Sequence, residues 1–553
     1  MADRSDRVPG DQDRAAQDRA ASDRAAPGLA YDSRPGHWVI AATVLGSGIA
    51  ALDATVVGIA LPTIGREFAV GVGALQWVVS GYTLTLAAFL LLGGSLGDRY
   101  GRRRVFSVGI VWFAAASALC GVAPSAGILI AARALQGVGG ALLTPGSLAI
   151  LQASFRPVDR PRAIGAWSGL GGLATAAGPL VGGYLIAAAS WRWVFFMNLP
   201  IAAVVLGISA RHVPESKDPG ASDRTDLLGA ALAVVWLTGL TYSLIEAPAA
   251  GWGSLTILGM AGLAVVGLPA FIVHERRSGH PMLPLAIFRD RQFAATNAVT
   301  FLVYAALAGA LFLLPVELQV VSGYSPLQSG MALLPVTAIM LVLSARSGRL
   351  AARIGPRLQM GVGPLVVAAG LLGLIRATHG GSYVIFVLPA VVTFGLGLAI
   401  TVAPLTATAL GSAPLEHAGI ASAVNNDVAR AGGLIAVAVL PLLAGLTGAS
   451  YLNAGALAGG FRVAVEISAG LCAAGGVLAA TTIRNPVSGR GSSLGSSRLG
   501  SSQLGSPPLG SPPLGSPPLG SPQPVPSPLV SSAHHCALGG PPLAVDTAQP
   551  SRS

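Results

Sequence analysis

Charged residues are scarce in this sequence. They make up 10% of its 553 residues, against about 25% in an ordinary soluble domain. Lys217 is the single lysine, so arginine supplies almost all of the positive charge. With 52% hydrophobic residues and a mean hydropathy of +0.67, a soluble enzyme would not stay in solution. The composition therefore excludes a soluble protein and predicts an integral membrane protein.

Several signatures of catalysis and ligand binding are absent as well. The three cysteines, Cys120, Cys472 and Cys536, lie far apart without CxxC spacing, so they indicate no redox or metal function. No Gly-Lys-Ser/Thr phosphate loop occurs, so ATP is not the expected energy source. The histidines are scattered rather than grouped with acids or serines. We therefore expect no metal site, no cofactor and no enzymatic centre.

Fourteen apolar runs approach the length of about 20 residues that a membrane-spanning helix requires. We expect these spans near 38–60, 76–96, 105–123, 127–150, 164–187, 193–210, 227–245, 254–273, 292–314, 329–346, 359–377, 382–404, 419–446 and 461–482. The predicted fold class is an all-α integral membrane protein.

Arginine is distributed unevenly between the loops. Loops 98–104, 151–162, 211–225, 274–291 and 346–357 together hold 18 Arg or Lys residues, whereas the intervening loops hold few. Loops rich in arginine and lysine stay on the cytoplasmic side of a membrane, so both termini are predicted to be cytoplasmic. The net charge of +11 then reflects membrane topology and not a nucleic-acid partner.

The two ends of the chain differ from its apolar middle. Residues 1–36 are polar and repeat Asp-Arg, and residues 484–553 are low in complexity, with a leucine every five residues among Gly, Ser and Pro. Neither composition can build a core, so we expect two disordered cytoplasmic segments. A signal peptide is not predicted, because a long polar stretch precedes the first apolar run.

The segment Gly94–Arg104 concentrates positive charge between two apolar spans. Its acid is expected to pair with an arginine and to cap the next helix. Two interpretations stay open, a purely topological signal or a latch between cytoplasmic helix ends. The residues concerned are Gly94, Asp98, Arg99, Gly101, Arg102 and Arg103.

An internal repeat explains the number of spans. The segment Gly348–Arg357 aligns with Gly94–Arg103, so that Gly355 falls on Gly101 and Arg357 on Arg103. The first copy follows the second span and the second copy follows the tenth, which predicts a six-two-six arrangement. The predicted units are a six-helix bundle at 37–210, a linker with two extra helices at 211–291, and a second six-helix bundle at 292–483.

These motifs resemble the major facilitator superfamily, and within it the fourteen-span drug:proton antiporters. The likeness covers residues 38–483 and implies a major facilitator fold with proton-driven export. Besides the loop motif, it rests on Leu52-Asp-Ala-Thr-Val-Val-Gly-Ile-Ala-Leu-Pro62, Arg133-Ala-Leu-Gln-Gly-Val-Gly-Gly-Ala141, Ala174-x-x-x-Gly178-Pro179-x-x-Gly182-Gly183 and Trp191-Arg-Trp-Val-Phe-Phe-Met-Asn-Leu-Pro200.

The span-five motif contains Gly178, Pro179, Gly182 and Gly183. Proline in a helix interior removes a backbone donor and glycine allows close helix contacts, so kinking and packing explain the motif structurally. The resemblance implies that the same residues control proton leak and the direction of antiport. The two interpretations are compatible.

Asp53 is the sharpest functional candidate, because a carboxylate in an apolar span is costly and usually functional. Arg133 in span four is its expected partner, since both lie about seven residues below the outer ends of their spans, which is roughly 10 Å deep. Burial favours a neutral carboxyl group and a nearby arginine favours an ionised one. Asp53 and Arg133 are therefore predicted to couple protons to transport, with a structural hydrogen bond at a helix contact as the alternative.

Further charges lie in the spans or at their ends. Two sets have i, i+3 or i, i+4 spacing and can form local ion pairs. Two acids at outer span ends are expected to be solvated. The residues are Asp427 with Arg430, Arg462 with Glu466, and the two acids Glu246 and Glu317.

The sequence thus predicts a monomeric exporter in the cell membrane that exchanges a small amphipathic or cationic drug, dye or antibiotic for protons. Its partners would be this substrate, protons and the lipid bilayer. A uniporter or importer on the same fold is the alternative, which the span-five motif disfavours.

Overall fold

The computed structural model describes residues 28–218, 225–376, 382–412 and 418–485. These ranges contain fourteen helices long and apolar enough to cross a membrane, which confirms the predicted all-α membrane fold. In chain order they are α1 (Arg34–Phe68), α2 (Val72–Tyr100), α3 (Arg102–Gly121), α4 (Ala126–Ser154), α5 (Arg160–Ala188), α6 (Trp193–His212), α7 (Leu227–Ala250), α8 (Leu255–Arg277), α9 (Arg291–Val320), α10 (Pro326–Ile354), α11 (Pro356–Leu374), α12 (Tyr383–Gly411), α13 (Ala418–Leu443) and α14 (Ala454–Thr482).

Polar residues define where several of these helices begin. An N-cap side chain accepts a hydrogen bond from a backbone N–H that has no partner within the helix. Asp226, for example, accepts from the Gly229 N–H at 2.7 Å, and Asp290 accepts from the Phe293 N–H at 2.7 Å. The capping side chains are Ser33, Ser125, Asp226, Asp290, Ser325 and Asn453.

Three of the helices are interrupted by a single residue: α6 at Met197, α10 at Leu333 and α12 at Val387. Each interruption comes two or three residues before a proline. Proline lacks the N–H that would bond to the carbonyl four residues earlier, and its ring crowds that carbonyl. The proline that follows each interruption therefore determines where the helix breaks.

Helices within each half approach closely where glycine faces a neighbouring backbone. A Cβ atom at Gly93 of α2 would lie 2.2 Å from the Ala141 oxygen of α4, and one at Gly139 of α4 would lie 2.7 Å from the Phe113 nitrogen of α3. In the second half, a Cβ atom at Gly370 of α11 would lie 2.4 Å from the Phe394 nitrogen of α12. Helices in lipid gain no hydrophobic driving force from packing on each other. Small residues stabilise their association instead, because they let the backbones approach closely and pack.

The two halves meet at one end of the molecule, which we call the closed end. There the Gln319 Nε2 of α9 donates to the Ile59 carbonyl of α1 at 3.0 Å, and the Val72 N–H of α2 donates to the Gly448 carbonyl at 2.8 Å. The Tyr451 hydroxyl donates to the Val70 carbonyl at 2.9 Å. The α1, α9 and α13 helices all end here, and α2, α10 and α14 begin here.

Away from the closed end, α5 and α10 are poorly covered. Leu170 and Leu173 of α5 are 47% and 50% exposed, and Leu341 and Val342 of α10 are 54% and 55% exposed. The same two helices touch near the closed end, where α5 packs on the beginning of α10. The bundle therefore separates along α5 and α10 toward its opposite end.

The helices α7 and α8 pack on each other, and α7 lies against both α2 and α13. Leu237 of α7 packs with Leu84 of α2 and Leu434 of α13. The Trp77 Nε1 of α2 donates to Glu246 of α7 at 2.8 Å. The helices α7 and α8 thus cover the place where α2 meets α13. The six-two-six grouping of the helices stays a prediction.

The predicted disordered leader is too long at its C-terminal end. The Leu29 N–H donates to the Ser154 carbonyl at 2.7 Å, and the Arg156 N–H donates to the Leu29 carbonyl at 3.2 Å. The helix α1 then begins at Arg34, before the predicted limit at residue 36. Residues 1–27 and 486–553, which include most of the predicted leader and tail, lie outside the described residues.

The membrane orientation can be tested with single cysteines. In a background with all three native cysteines replaced by alanine, Arg104→Cys and Arg349→Cys should be shielded in intact cells from a membrane-impermeant maleimide, because the arginine bias places both loops inside. Gly253→Cys, in the exposed α7–α8 loop, should react. Labelling of position 104 from outside would reverse the orientation. Permeabilised cells, in which all three positions should react, control for accessibility.

Candidate functional site

Asp53 of α1 and Arg133 of α4 form a fully buried ion pair, with side chains 0% and 1% exposed. The Arg133 Nη1 donates to Asp53 Oδ2. Its Nε donates to the Val78 carbonyl of α2 at 3.0 Å, and its guanidinium lies 4.4 Å from the centre of the Tyr82 ring. The structure thus brings together the two residues that the sequence predicted as partners.

Two amides complete the hydrogen bonds of Asp53. The Gln136 Nε2 donates to Asp53 Oδ1 at 2.9 Å, and the Asn198 Nδ2 donates to the same oxygen at 3.2 Å. The Ser117 hydroxyl accepts from both amides, at 3.2 Å and 2.9 Å. Five helices, α1 to α4 and α6, therefore hold one carboxylate. Three donors on two oxygens match the ionised form of Asp53.

The sequence reasoning missed Gln136, Asn198, Ser117 and Tyr82 as members of this site. A signal existed for two of them. Gln136 follows Arg133 by three residues and so shares its helix face. Asn198 is a polar residue in the apolar sixth span. Ser117 and Tyr82 stand in their helices without a distinguishing motif, so only packing identifies them.

The span-five motif contacts α1. The helix α5 continues through Pro179 from Arg160 to Ala188. A Cβ atom at Gly178 would lie 2.1 Å from the Thr55 Oγ1, and one at Gly182 would lie 2.4 Å from the Val56 Cγ1. These glycines therefore allow α5 to lie directly on the stretch of α1 that follows Asp53.

The same motif also joins the two halves at the closed end. A Cβ atom at Gly183 would lie 2.7 Å from the Pro326 oxygen and 2.8 Å from the Leu327 Cα of α10. In the reverse direction, a Cβ atom at Gly330 of α10 would lie 2.1 Å from the Pro179 oxygen. Backbone thus meets backbone across the interface, so the motif supports close packing between halves as well as within one.

The loop motif is held by the segment that follows α6. Gly101 is the single residue between α2 and α3, with a φ of 114° that favours glycine. The Arg103 N–H donates to the Glu215 Oε1 at 3.1 Å, and the Arg102 N–H donates to the Ser216 carbonyl at 2.9 Å. Glu215 also lies 3.7 Å from the side chains of Arg103 and Arg104.

The sequence analysis assigned the capping of α3 to Asp98. The acceptor at the Arg103 N–H is Glu215, whereas Asp98 pairs with Arg102 one turn later at 2.8 Å. Glu215 was missed because it lies in a polar linker, where nothing in the local pattern predicts a contact 112 residues away.

The second copy of the loop has a corresponding contact. Gly355, with a φ of 86°, separates α10 from α11. The Arg357 N–H donates to the Asn485 Oδ1 at 3.0 Å, and the Asn485 Nδ2 donates to the Ile354 carbonyl at 3.4 Å. Asn485 is the third residue after α14, as Glu215 is the third after α6. The repeat seen in sequence therefore extends to its supporting contacts.

The expected ion pair between Asp427 and Arg430 does not form: in the described part of α13 no salt bridge joins them. Instead, the Asp427 Oδ1 and the Arg430 Nε are buried without a hydrogen-bond partner. Both residues lie on the face of α13 that also carries Ala423 and Leu434, which pack against helices of the first half. The spacing alone allowed a pair, but tertiary packing decides the direction of the side chains.

The remaining charges are placed as follows. Arg462 and Glu466 of α14 form the expected local pair at 2.9 Å and are exposed at 65% and 46%. Glu246 accepts from Trp77, as described above. Glu317 of α9 was expected to be solvated but is 0% exposed, so that expectation is wrong. Its Oε1 accepts from the Ser322 hydroxyl at 3.3 Å.

Comparison with known proteins identifies the fold. The sequence model of the Major Facilitator Superfamily matches residues 43–438. The chain belongs to this superfamily. A solved structure of peptide transporter POT in complex with sulfate has a TM-score of 0.59 at 15% identity, covering 84% of this chain and 99% of that chain.

Curated relatives share more of the sequence. The chain is 39% identical over 402 residues to the multidrug resistance protein Stp of Mycobacterium tuberculosis, covering 72% of this chain and 74% of the relative. It is 38% identical over 425 residues to the tetracenomycin C resistance and export protein of Streptomyces glaucescens, covering 75% and 77%. Both relatives are resistance proteins of the kind that the motifs predicted.

The glycine contact between α5 and α10 can be tested by adding one methyl group. Gly183→Ala should lower transport several-fold at unchanged membrane abundance, because its Cβ would collide with backbone that cannot move cheaply. Gly172→Ala, in the same helix with nothing within 4 Å, is the matched control and should behave as wild type. Equal transport by both variants would show that this contact is not needed.

The contact of Glu215 with the loop can be tested by thermal unfolding in detergent. Glu215→Ala should destabilise the protein by about 1 kcal/mol, the usual effect of losing a capping acceptor. Glu215→Gln should retain most of the stability, because an amide oxygen can still accept from Arg103. Glu466→Ala, which removes an exposed ion pair, serves as control. A melting temperature for Glu215→Ala equal to that of the control would contradict the role assigned to Glu215.

Proposed function

We propose that the protein exports an amphipathic drug, dye or antibiotic from the cell in exchange for protons, with Asp53 as the group that carries the proton. The observation that carries this proposal is the burial of Asp53 against Arg133 in a membrane-embedded bundle. Ionisable residues inside the membrane are costly and mark transport pathways and proton relays. The relatives named for multidrug resistance and for tetracenomycin C export support the substrate side of the proposal.

The hydrogen bonds suit a cycle between two protonation states. Asp53 accepts three donors here, as an ionised carboxylate does. Protonation would remove the charge that pairs with Arg133 and weaken the contacts of α1 with α4 and α6. A two-state helix contact of this kind can convert proton binding into movement of the halves.

The separation of α5 from α10 fits alternating access. If the arginine-rich loops are cytoplasmic, the closed end is extracellular and the separated ends of α5 and α10 open toward the cytoplasm. An ionised Asp53 in this arrangement corresponds to a state that has released its proton inside. This state is ready to take up substrate from the cytoplasm. The proton gradient then serves as the energy source, and no cofactor is required.

A uniporter or importer is the alternative. A uniporter would need no titrating group, so its transport would not depend on Asp53 ionisation, and the buried ion pair disfavours it. An importer could also use a proton carrier, and the export named for a relative disfavours it.

Replacement of Asp53 tests the coupling. Asp53→Asn should retain substrate binding but lose gradient-driven efflux, because the amide keeps the shape and no longer titrates. Asp53→Glu should retain partial activity, since a carboxylate remains near Arg133. The measurement is uptake of substrate into inverted vesicles with an imposed pH gradient, alongside binding in detergent.

The control for this test is Asp32→Asn, which makes the same change at an exposed residue paired with Arg162. It should transport as wild type. Full gradient-driven transport by Asp53→Asn would exclude Asp53 as the proton carrier and direct attention to Asp427 and Glu466. Because the pair is buried, loss of one partner can cost about 3–5 kcal/mol, so membrane abundance must be measured for each variant.

A further inference from the structure

One face of α13 presents two charges toward α2. Ala423 packs into the apolar core of the first half, and Leu434 packs with apolar side chains of α2. Asp427 and Arg430 lie between them in sequence, at spacings of four, three and four residues, which place all four on one helix face. Both charged side chains are partly exposed, so they are accessible to a bound molecule.

Three buried polar atoms in this region lack a hydrogen-bond partner among the described residues. They are the Arg430 Nε, the Asp427 Oδ1 and the hydroxyl of Tyr82, whose side chain is only 3% exposed. Arg430 interacts electrostatically with Asp427, with Tyr82 of α2 and with Tyr304 of α9. Buried polar groups are nearly always hydrogen-bonded. A molecule that binds between these helices and offers polar groups to the three atoms would complete their hydrogen bonds.

The charges define what kind of molecule fits. Arg133, the other cation near Tyr82, is already neutralised by Asp53. Arg430 has no salt bridge in the described chain, and arginine does not lose its proton in proteins. The Arg430 guanidinium and the Tyr82 hydroxyl are both hydrogen-bond donors without a partner among the described residues, so each can donate to an oxygen of a bound molecule. Asp427 can accept from a neighbouring hydroxyl, and the rings of Tyr82 and Tyr304 offer aromatic surface.

We propose that Arg430, Tyr82 and Asp427 bind the polar end of the exported substrate, and that this substrate is an aromatic amphiphile with an acidic oxygen group. The acidic group is a carboxylate or phenolate that accepts from Arg430 and Tyr82, and a hydroxyl beside it donates to Asp427. Arg430 attracts the acidic oxygen and would repel a permanent cation, while Asp427 is occupied by the hydroxyl that donates to it. This inference rests on the proposed export function and narrows its substrate class.

The test compares two probes with the same ring system and opposite charge. Binding of 1-pyrenebutyrate and of 1-pyrenemethylammonium is measured by fluorescence on full-length protein in lipid nanodiscs, with empty nanodiscs subtracted for partitioning. The wild type should bind the carboxylate more tightly. Arg430→Gln should weaken 1-pyrenebutyrate binding by about tenfold, the usual effect of losing a charge-assisted hydrogen bond. Binding of the ammonium probe should not weaken.

Two further variants keep the test decisive. Tyr82→Phe removes only the hydroxyl and should weaken binding of 1-pyrenebutyrate several-fold. Arg430→Lys should bind 1-pyrenebutyrate with an affinity between those of the wild type and Arg430→Gln. If Arg430→Gln does not fold, judged by thermal unfolding, these two variants decide. Arg462→Gln removes an arginine of α14 that pairs with Glu466 and is the matched control, expected to change neither affinity.

The proposal is overturned if the folded Arg430 variants bind 1-pyrenebutyrate as tightly as wild type, or if the wild type prefers the ammonium probe. The binding measurement uses no proton gradient, so it is independent of the coupling test on Asp53. If binding of 1-pyrenebutyrate does not depend on Arg430 while the proton gradient still drives efflux, only this inference is contradicted. If transport does not depend on the proton gradient while binding of 1-pyrenebutyrate depends on Arg430, only the proposed proton coupling is contradicted.

Discussion

A charge inside a membrane-embedded bundle must be paired or it destabilises the fold, and the ion pair of Asp53 with Arg133 meets that constraint. The idealised cost of transferring an isolated ion into a low-dielectric interior is tens of kcal/mol, so neither residue can be buried alone. The donors Gln136 and Asn198 complete the pairing. Because these groups come from α1 to α4 and α6, the positions of five helices depend on one carboxylate.

Glycine sets how closely the remaining helices approach this pair. Gly178 and Gly182 let α5 lie on α1 next to Asp53, and Gly183 lets the same helix touch α10 of the second half. The helix α5 therefore contacts both the stretch of α1 that follows Asp53 and the partner half. Its contacts with α1 are to side chains, whereas its contact with α10 is between backbones, which tolerate little compression.

The two copies of the arginine loop show how a repeat can diverge while its support is retained. Each loop turns at a glycine with positive φ, and each following helix receives a side-chain acceptor from the segment after α6 or after α14. The acceptor is Glu215 where three arginines cluster, and Asn485 where the second copy has fewer charges nearby. An acid is suited to the first site because it can also interact with Arg103 and Arg104.

The sequence by itself determined the helical membrane fold, the fourteen spans and the partnership of Asp53 with Arg133. Apolar runs of spanning length and the cost of a buried charge are local properties, and equal depth in two spans leaves few partners for a carboxylate. Only the tertiary structure decided that Ser117 and Tyr82 join this pair. Tertiary packing also leaves Asp427 and Arg430 without a salt bridge to each other in the described chain and buries Glu317. Side-chain direction and burial depend on which helices lie alongside, and spacing within one helix contains no information about its neighbours.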